Sequence, residues 1–292
     1  YTILNTSDLI GRLRNEEQIP PNYALVSFDV QSLFTNVPLN RTLDIIMERI
    51  YKNNDIITDI PSKDLKDLLL LCTKQVHFQY DGSNYLQSDG VAMGSPLGPI
   101  LANIFMTELE LNVLPTIDNK IINWKRYVDD TLAYVKQDQI TEVLTILNSF
   151  DENIKFTYEL EENNVISFLD VKIKRQENCL ETSVFRKPTH TDIYINWFSH
   201  APLQWKKSTL RGLVKRALTI CSSQILLNNE IEYLKYVFIN NNQYPKNFVE
   251  TIIQDEMEKT NLQEFMNNDT ENNPLLSLSL PYNGIKGEHI IK

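Results

Sequence analysis

The alternation of apolar and polar residues divides this chain into strand-like and helix-like stretches. Tyr23-Ala24-Leu25-Val26-Ser27-Phe28-Asp29-Val30 is a β-prone run behind Pro20-Pro21, and its nearly continuous apolar character predicts a buried strand. From Arg41 to Tyr51, the residues Leu43, Ile46, Met47 and Ile50 recur at helical spacing, and Ser62 can cap a second helix reaching about Gln75. Two short strand-like runs, Val76 to Tyr80 and Tyr85 to Gln87, flank Asp81-Gly82, a dipeptide that favours a tight hairpin turn. Pro96 suits the first turn of a helix that should continue to about Leu111. A second hairpin follows, with Ile121 to Val128 leading in, Asp129-Asp130 at the tip and Leu132 to Val135 leading out. Ile140, Val143, Leu144, Leu147 and Phe150 mark another amphipathic helix. Strand-like runs fill Lys155 to Lys187, broken at Glu161-Glu162-Asn163-Asn164 and at Gln176-Glu177-Asn178. Helices dominate after Pro202, with loops expected at Asn240-Asn241-Asn242 and from Asn267 to Asn273. This order predicts an α+β fold, an antiparallel sheet covered by helices on one side.

Composition narrows the class. Apolar residues make up 42% of the 292 and charged ones 23%, enough for a packed core, while 8 Gly and 12 Pro exclude a collagenous or Pro-rich chain. The net charge of −10 argues at first against a phosphate-bearing partner. The charge is segregated, however. Between Arg186 and Ala217 only Asp192 opposes Arg186, Lys187, Lys206, Lys207, Arg211, Lys215 and Arg216, whereas acids crowd the tail from Glu250. Local field matters more than the total for nucleic-acid contact. Cys72, Cys179 and Cys221 lie far apart without a CxxC pair, which reads as reduced intracellular thiols. The longest apolar run, Leu68 to Cys72, is far too short to span a bilayer, so no membrane partner is expected. The chain opens on Tyr1 and reads as a piece of something larger.

Two acidic positions interrupt apolar strands: Asp29 after Val26-Ser27-Phe28, and Asp129-Asp130 after Tyr127-Val128. Alone, Asp-Asp at a hairpin tip is ordinary turn chemistry, and an aspartate ending a strand is a common helix cap. Brought together, such carboxylates repel one another unless a divalent cation sits between them. Mg²⁺ suits that place because it takes one or two carboxylates plus substrate phosphates. Two such ions about 3.5–4 Å apart can serve both the attacking and the departing oxygen of an in-line displacement.

The run Ser27-Phe28-Asp29-Val30-Gln31-Ser32-Leu33-Phe34 resembles the first palm motif of reverse transcriptases. Gly90-Val91-Ala92-Met93-Gly94-Ser95-Pro96-Leu97-Gly98-Pro99 resembles their second, and Tyr127-Val128-Asp129-Asp130 their third. Ile166 to Val171 and Val184 to Asp192 are similar to the later palm and primer-grip segments of one branch, the Penelope-like elements. Leu280-Pro281-Tyr282-Asn283-Gly284 is similar to the stretch that precedes their GIY-YIG endonuclease.

The resemblance implies a polymerase palm followed by a helical thumb: a fingers or linker remnant over residues 1–22, palm over 23–195, thumb over 196–265 and a polar connector over 266–292. It implies an RNA-directed DNA polymerase of a retrotransposable element, with an inactive nucleic-acid-binding remnant as the alternative and a structural protein reusing the sheet as a third. Two Mg²⁺ ions, or Mn²⁺ in their place, would be held principally by Asp29 and Asp129, with Asp130 a weaker ligand and the Val30 carbonyl a further one. Phe34 would exclude a ribose 2′-hydroxyl, with a plain core aromatic as the competing reading, and Gly94, Ser95 and Pro96 would approach the template base and nucleotide. Arg186, Lys187, Lys206, Lys207, Arg211 and Lys215 would meet nucleic-acid phosphates, and Trp197, Phe198 and Trp205 would pack beside the primer or in the core. Lys172 and Lys174 are both candidates for protonating pyrophosphate. The implied partners are an RNA or DNA template with its primer and deoxynucleoside triphosphates, with no oligomeric state defined. An element-encoded copying enzyme must reach chromosomal DNA, so a nuclear location is expected.

Overall fold

A computed structural model describes residues 1–267 apart from 17, 53–57, 75 and 178. The Leu280 to Gly284 segment and nearly all of the expected connector therefore lie outside the described residues. In chain order the elements are α1 (Thr6–Arg14), β1 (Tyr23–Val30), α2 (Leu33–Asn36), α3 (Leu39–Tyr51), α4 (Ser62–Lys74), β2 (His77–Tyr80), β3 (Ser83–Leu86) and α5 (Gly98–Val113). After these come β4 (Ile121–Tyr127), β5 (Asp130–Lys136), α6 (Ile140–Ser149), β6 (Phe156–Leu160), β7 (Val165–Phe168), β8 (Val171–Arg175) and β9 (Leu180–Val184). The last three are α7 (Leu203–Ile220), α8 (Gln224–Tyr236) and α9 (Lys246–Asn267). No helix among the described residues is long and apolar enough to cross a membrane.

The two-residue period of β1 explains the architecture. Ala24, Val26, Phe28 and Val30 point into one core, shared with Ala133 and Val135 of β5, Leu39 and Leu43 of α3, Leu101, Phe105 and Leu109 of α5, and Val143 and Leu147 of α6. Tyr23 and Leu25 point the other way, into a second core with Leu132 and Tyr134 of β5, Leu9, Ile10 and Leu13 of α1, and Phe168, Val171 and Ile173. The central sheet has the order β4-β5-β1-β6, and β7-β8-β9 form a separate antiparallel sheet. Both faces of the central sheet are thus covered, where helices on one side alone were expected. Cover on the second face stops at Ser27, Asp29 and Asp130, which line an open cleft instead. Register is fixed strongly here: a one-residue slip would turn Asp29 into the core and Phe28 out of it. Each such buried side chain contributes about 1.5–3 kcal/mol.

Within the first 22 residues, expected as a fingers or linker remnant, Thr6–Arg14 forms a capped helix. Asn5 caps α1 by accepting the Asp8 N–H at 3.0 Å, and the helix buries Leu9, Ile10 and Leu13. In the β2–β3 turn, Asp81 and Gly82 both have positive φ, 46° and 75°, as a type I′ turn requires.

The described residues fall into two compact units: residues 1–192 with 219–234, and residues 193–218 with 235–267. In the second unit Tyr194 stacks on Phe238 at 5.2 Å and Trp197 meets Phe248 edge-on at 5.0 Å. The expected Asn240-Asn241-Asn242 loop is ordered: Val237–Asn241 forms a π-helical turn. Asn242 is buried, its side chain accepting from the Tyr194 N–H at 2.7 Å and donating to the Val237 carbonyl at 3.0 Å.

Candidate active site

Antiparallel pairing sets Asp29 directly across from Asp130 on the β1–β5 ladder. One residue on, the Val30 N–H donates to the Asp129 carbonyl at 3.3 Å, while the Val30 side chain is buried in the first core. All three aspartates therefore gather at one end of two neighbouring strands. The Asp29 and Asp130 carboxyls are close enough for one, when protonated, to donate to the other. Burial, then the charges of Asp129 and Asp29, push Asp130 up to about 6, against which Lys187 acts weakly in the opposite sense. Partial desolvation, then the charge of Asp129, also raises Asp29. Like charges crowded beside low-dielectric walls account for both directions. Asp29 and Asp130 line a cleft of about 450 Å³ whose walls include Ser167, Leu169, Phe185 and Lys187.

The turn that presents Asp129 is held from beneath. Val128 has a φ of 57°, a costly left-handed conformation for a β-branched residue. Arg126, fully buried at 0% exposure, donates to the Val128 carbonyl at 3.2 Å. The same guanidinium is paired with buried Glu110 at 2.6 and 3.2 Å and reaches Asn103 at 3.0 Å, while the Trp124 indole N–H also donates to Glu110 at 2.9 Å. Sequence reasoning passed over Arg126 and Glu110, because a charged pair 16 residues apart gives no local signal.

The second motif is fitted against the first. The Val91 N–H donates to the Phe34 carbonyl at 2.7 Å. Phe34 is half-buried and packs against the first core, so the competing core reading describes part of its surroundings. Gly94 has a φ of 90° with open space where a side chain would stand. Ser95 accepts the Leu97 N–H on its hydroxyl at 3.3 Å and the Gly98 N–H on its carbonyl at 3.0 Å, which starts α5, and exposed Pro96 leads into it.

The basic residues divide by environment. Lys187 faces the aspartate cleft. Arg186 pairs with Glu230, Nη1 to Oε2 at 2.9 Å, and lies 4.2 Å over the Tyr233 ring. Lys206, expected on the outer face of its helix, is buried at 7% exposure and donates to the Trp197 and Ser199 carbonyls at 2.6 and 2.8 Å. Arg211, Lys215 and Lys259 converge on buried Glu256 at 3.1, 3.7 and 2.9 Å. Their positive charge, the Lys259 hydrogen bond first, holds that carboxyl below its usual range. Lys207 is half-buried on the same helix. Trp197 packs inside the second unit, whereas Phe198 and Trp205 are exposed. Lys172 lines a neighbouring groove of about 910 Å³ that shares Ser167 and Phe185 with the aspartate cleft, and Lys174 lines neither.

Among the described residues no three His, Cys, Asp or Glu side chains form a ready-made metal cage. Two carboxylates facing each other across paired strands, with Asp129 beside them, still match the oxygen-donor chemistry of Mg²⁺, which keeps open positions for phosphates and water. A cation there would relieve the repulsion that raises Asp130.

Residues 4–171 match the family model described as reverse transcriptase (RNA-dependent DNA polymerase), and residues 193–254 match that of the animal helix-turn-helix domain. No curated protein matches the chain. Among solved structures, telomerase from Candida albicans with a fragment of telomeric RNA is similar at a TM-score of 0.59 and 12% identity, covering 93% of this chain and 50% of that one. The RNA-dependent RNA polymerase of a human picobirnavirus gives a TM-score of 0.55 and 10% identity, covering 87% and 50%. Apo telomerase from Candida tropicalis gives 0.51 and 14%, covering 91% and 48%. The chain thus spans about half the length of these structures, and the likeness is one of fold.

Proposed function

We propose, from a chain that belongs to the reverse transcriptase (RNA-dependent DNA polymerase) family, that it adds deoxynucleotides to a primer 3′-hydroxyl on an RNA or DNA template, on behalf of a Penelope-like retroelement acting in the nucleus. The observation that carries the reading is the meeting of Asp29 and Asp130 across the β1–β5 ladder, with Asp129 beside them. Asp29, Asp129, Asp130 and the Val30 carbonyl would hold Mg²⁺ or Mn²⁺. When bound, the ions supply a Lewis acid for the attacking and leaving oxygens. The carboxylates fix where positive charge sits and so where the triphosphate lies, which is catalysis by positioning and electrostatics. Arg126 and Glu110 hold the Asp129 turn at its strained dihedral, so that no reorganisation is needed as the reaction proceeds. Phe34, half-buried beside the second motif, would be the ring that an extra sugar oxygen meets. The second unit, through Lys207 and the outward side of Lys215, would meet duplex phosphates without reading sequence.

Primer extension on poly(rA)/oligo(dT) with deoxythymidine triphosphate and Mg²⁺ tests this reading, with Asp29→Asn and Asp129→Ala as controls. Extension by the unsubstituted chain that both changes abolish is the expected result. Binding of the primer–template without extension would assign the chain a non-catalytic role.

A further inference from the structure

We propose that Gly90 is a positioning residue for sugar selection: its lack of a side chain sets the place of the Phe34 ring, and through it the preference for deoxynucleotides. This rests on the reading of Phe34 given above. Gly90 has a φ of 73°, and a Cβ built on it would stand 2.3 Å from the Thr35 carbonyl oxygen and 2.6 and 2.8 Å from the Thr35 C and Cα. These are backbone atoms and cannot rotate aside, so any other residue must push the two loops apart. Thr35 is the immediate neighbour of Phe34 and has little freedom to absorb the push. Its N–H donates to the Ser32 carbonyl at 3.1 Å and its hydroxyl donates to the same carbonyl at 2.9 Å. Ser32 itself has a φ of 50°. On the other side, the Gly90 N–H is held by the Asp89 carboxylate at 2.8 Å, and the Asp89 carbonyl accepts from Gln87 at 2.9 Å. The next residue closes the arrangement through the bond from the Val91 N–H to the Phe34 carbonyl. Gly94 differs: nothing lies within 4 Å of its built Cβ, so its need for glycine is conformational rather than steric. Gly98 is nearest the ring itself, with a built Cβ 3.8 Å from the Phe34 Cδ1 and no closer than 3.4 Å to any atom, which is ordinary packing.

Steric exclusion of one hydroxyl depends on placing a ring to within a fraction of an ångström, because a small retreat removes the clash. The experiment compares kcat/KM for deoxythymidine triphosphate and uridine triphosphate on poly(rA)/oligo(dT) for the unsubstituted chain, Gly90→Ala, Asp89→Ala, Gly98→Ala and Phe34→Ala. Asp89→Ala loosens the loop without adding an atom and stands in should Gly90→Ala not fold. Gly90→Ala is expected to lower the deoxy-to-ribo ratio about tenfold or more, and Asp89→Ala about threefold in the same direction. Gly98→Ala should leave the ratio unchanged. Equal loss for both nucleotides in Gly90→Ala, or relaxation by Phe34→Ala alone, overturns the proposal while sparing the Phe34 reading. A ratio indifferent to Phe34→Ala overturns that reading and this one with it, and no extension by the unsubstituted chain overturns the polymerase assignment itself.

Discussion

Replacing Asp130 with asparagine should stabilise the protein when no divalent cation is present. Asparagine keeps the shape of the side chain and can still hydrogen-bond Asp29, but it removes the charge that the cleft penalises. In the folded protein Asp130 is pushed from 3.8 to about 6, by burial first and then by Asp129 and Asp29. The sign follows from linkage. An acid whose folded value lies above its unfolded one binds more protons when folded, so stability is full below 3.8 and is lost as pH rises to about 6. For a fully screened-off group that displacement corresponds to about 3 kcal/mol. Asp130 is partly open to water, and screening reduces the effect to about 1–2 kcal/mol.

For a chain of this size that amount moves Tm by about 2–8 °C. The assay is thermal unfolding followed by circular dichroism in a chelating buffer, between pH 5 and pH 8. The unsubstituted protein should lose stability across the lower part of that range. Asp130→Asn should lose less and should melt higher than its parent at pH 8. The raised Asp29 and Glu161 add losses of the same sign. The groups held low, Asp8, Glu108 and Glu256, act in the opposite sense, and their changes fall below this window. A lower Tm for Asp130→Asn at pH 8, or parallel pH profiles for the two proteins, would refute the electrostatic account of the cleft.

Arg126→Met should cost about 3–5 kcal/mol in urea denaturation, because it strands Glu110 at 1% side-chain exposure, and adding Glu110→Leu should recover most of that loss. Extension activity should stay low in the double variant, since the Val128 carbonyl still lacks its donor. In the second unit, Arg211→Ala should lower stability by about 1–2 kcal/mol, as Lys215 and Lys259 remain to pair with Glu256. Lys207→Ala should leave Tm alone and instead weaken duplex binding with a salt slope shallower by about 0.9, measured by fluorescence anisotropy against salt concentration.

What the sequence made legible was local. The β1 run and both hairpins were readable because strand alternation and the Asp81-Gly82 turn declare themselves within a few residues, but the second turn, expected on Asp129-Asp130, falls on Val128-Asp129, and Asp130 opens β5. Sheet order was not readable: β6 joins β1 on the side opposite β5, and no periodicity encodes which edge a later strand will take. Helix α1 escaped because its buried face rests on only Leu9, Ile10 and Leu13 among polar neighbours. Lys206 looked like one more outward charge on a basic helix until the chain before α7 supplied two carbonyls to hold its ammonium. The glycine-bearing motif was recognised as a whole, yet the division of labour within it, close approach at Gly90 and backbone freedom at Gly94, exists only once Thr35 is folded against it.

The same packing explains why the acidic cluster sits where it does. Along β1 every side chain before Ser27 is claimed by one of two cores, so a carboxylate at any of those positions would meet desolvation with no cation able to reach it. At Asp29 the second core has ended and the first takes only Phe28 and Val30 on either side. A carboxylate there is flanked by a low-dielectric core, which sharpens its charge, yet is exposed to solvent and ligand, which lets that charge be neutralised. Pairing with β5 brings Asp130 to the same face without any loop having to hold it. The cost of placing two aspartates together is thus borne by strands that are already fixed by burial elsewhere, which is why the cluster can stay assembled while its charges repel.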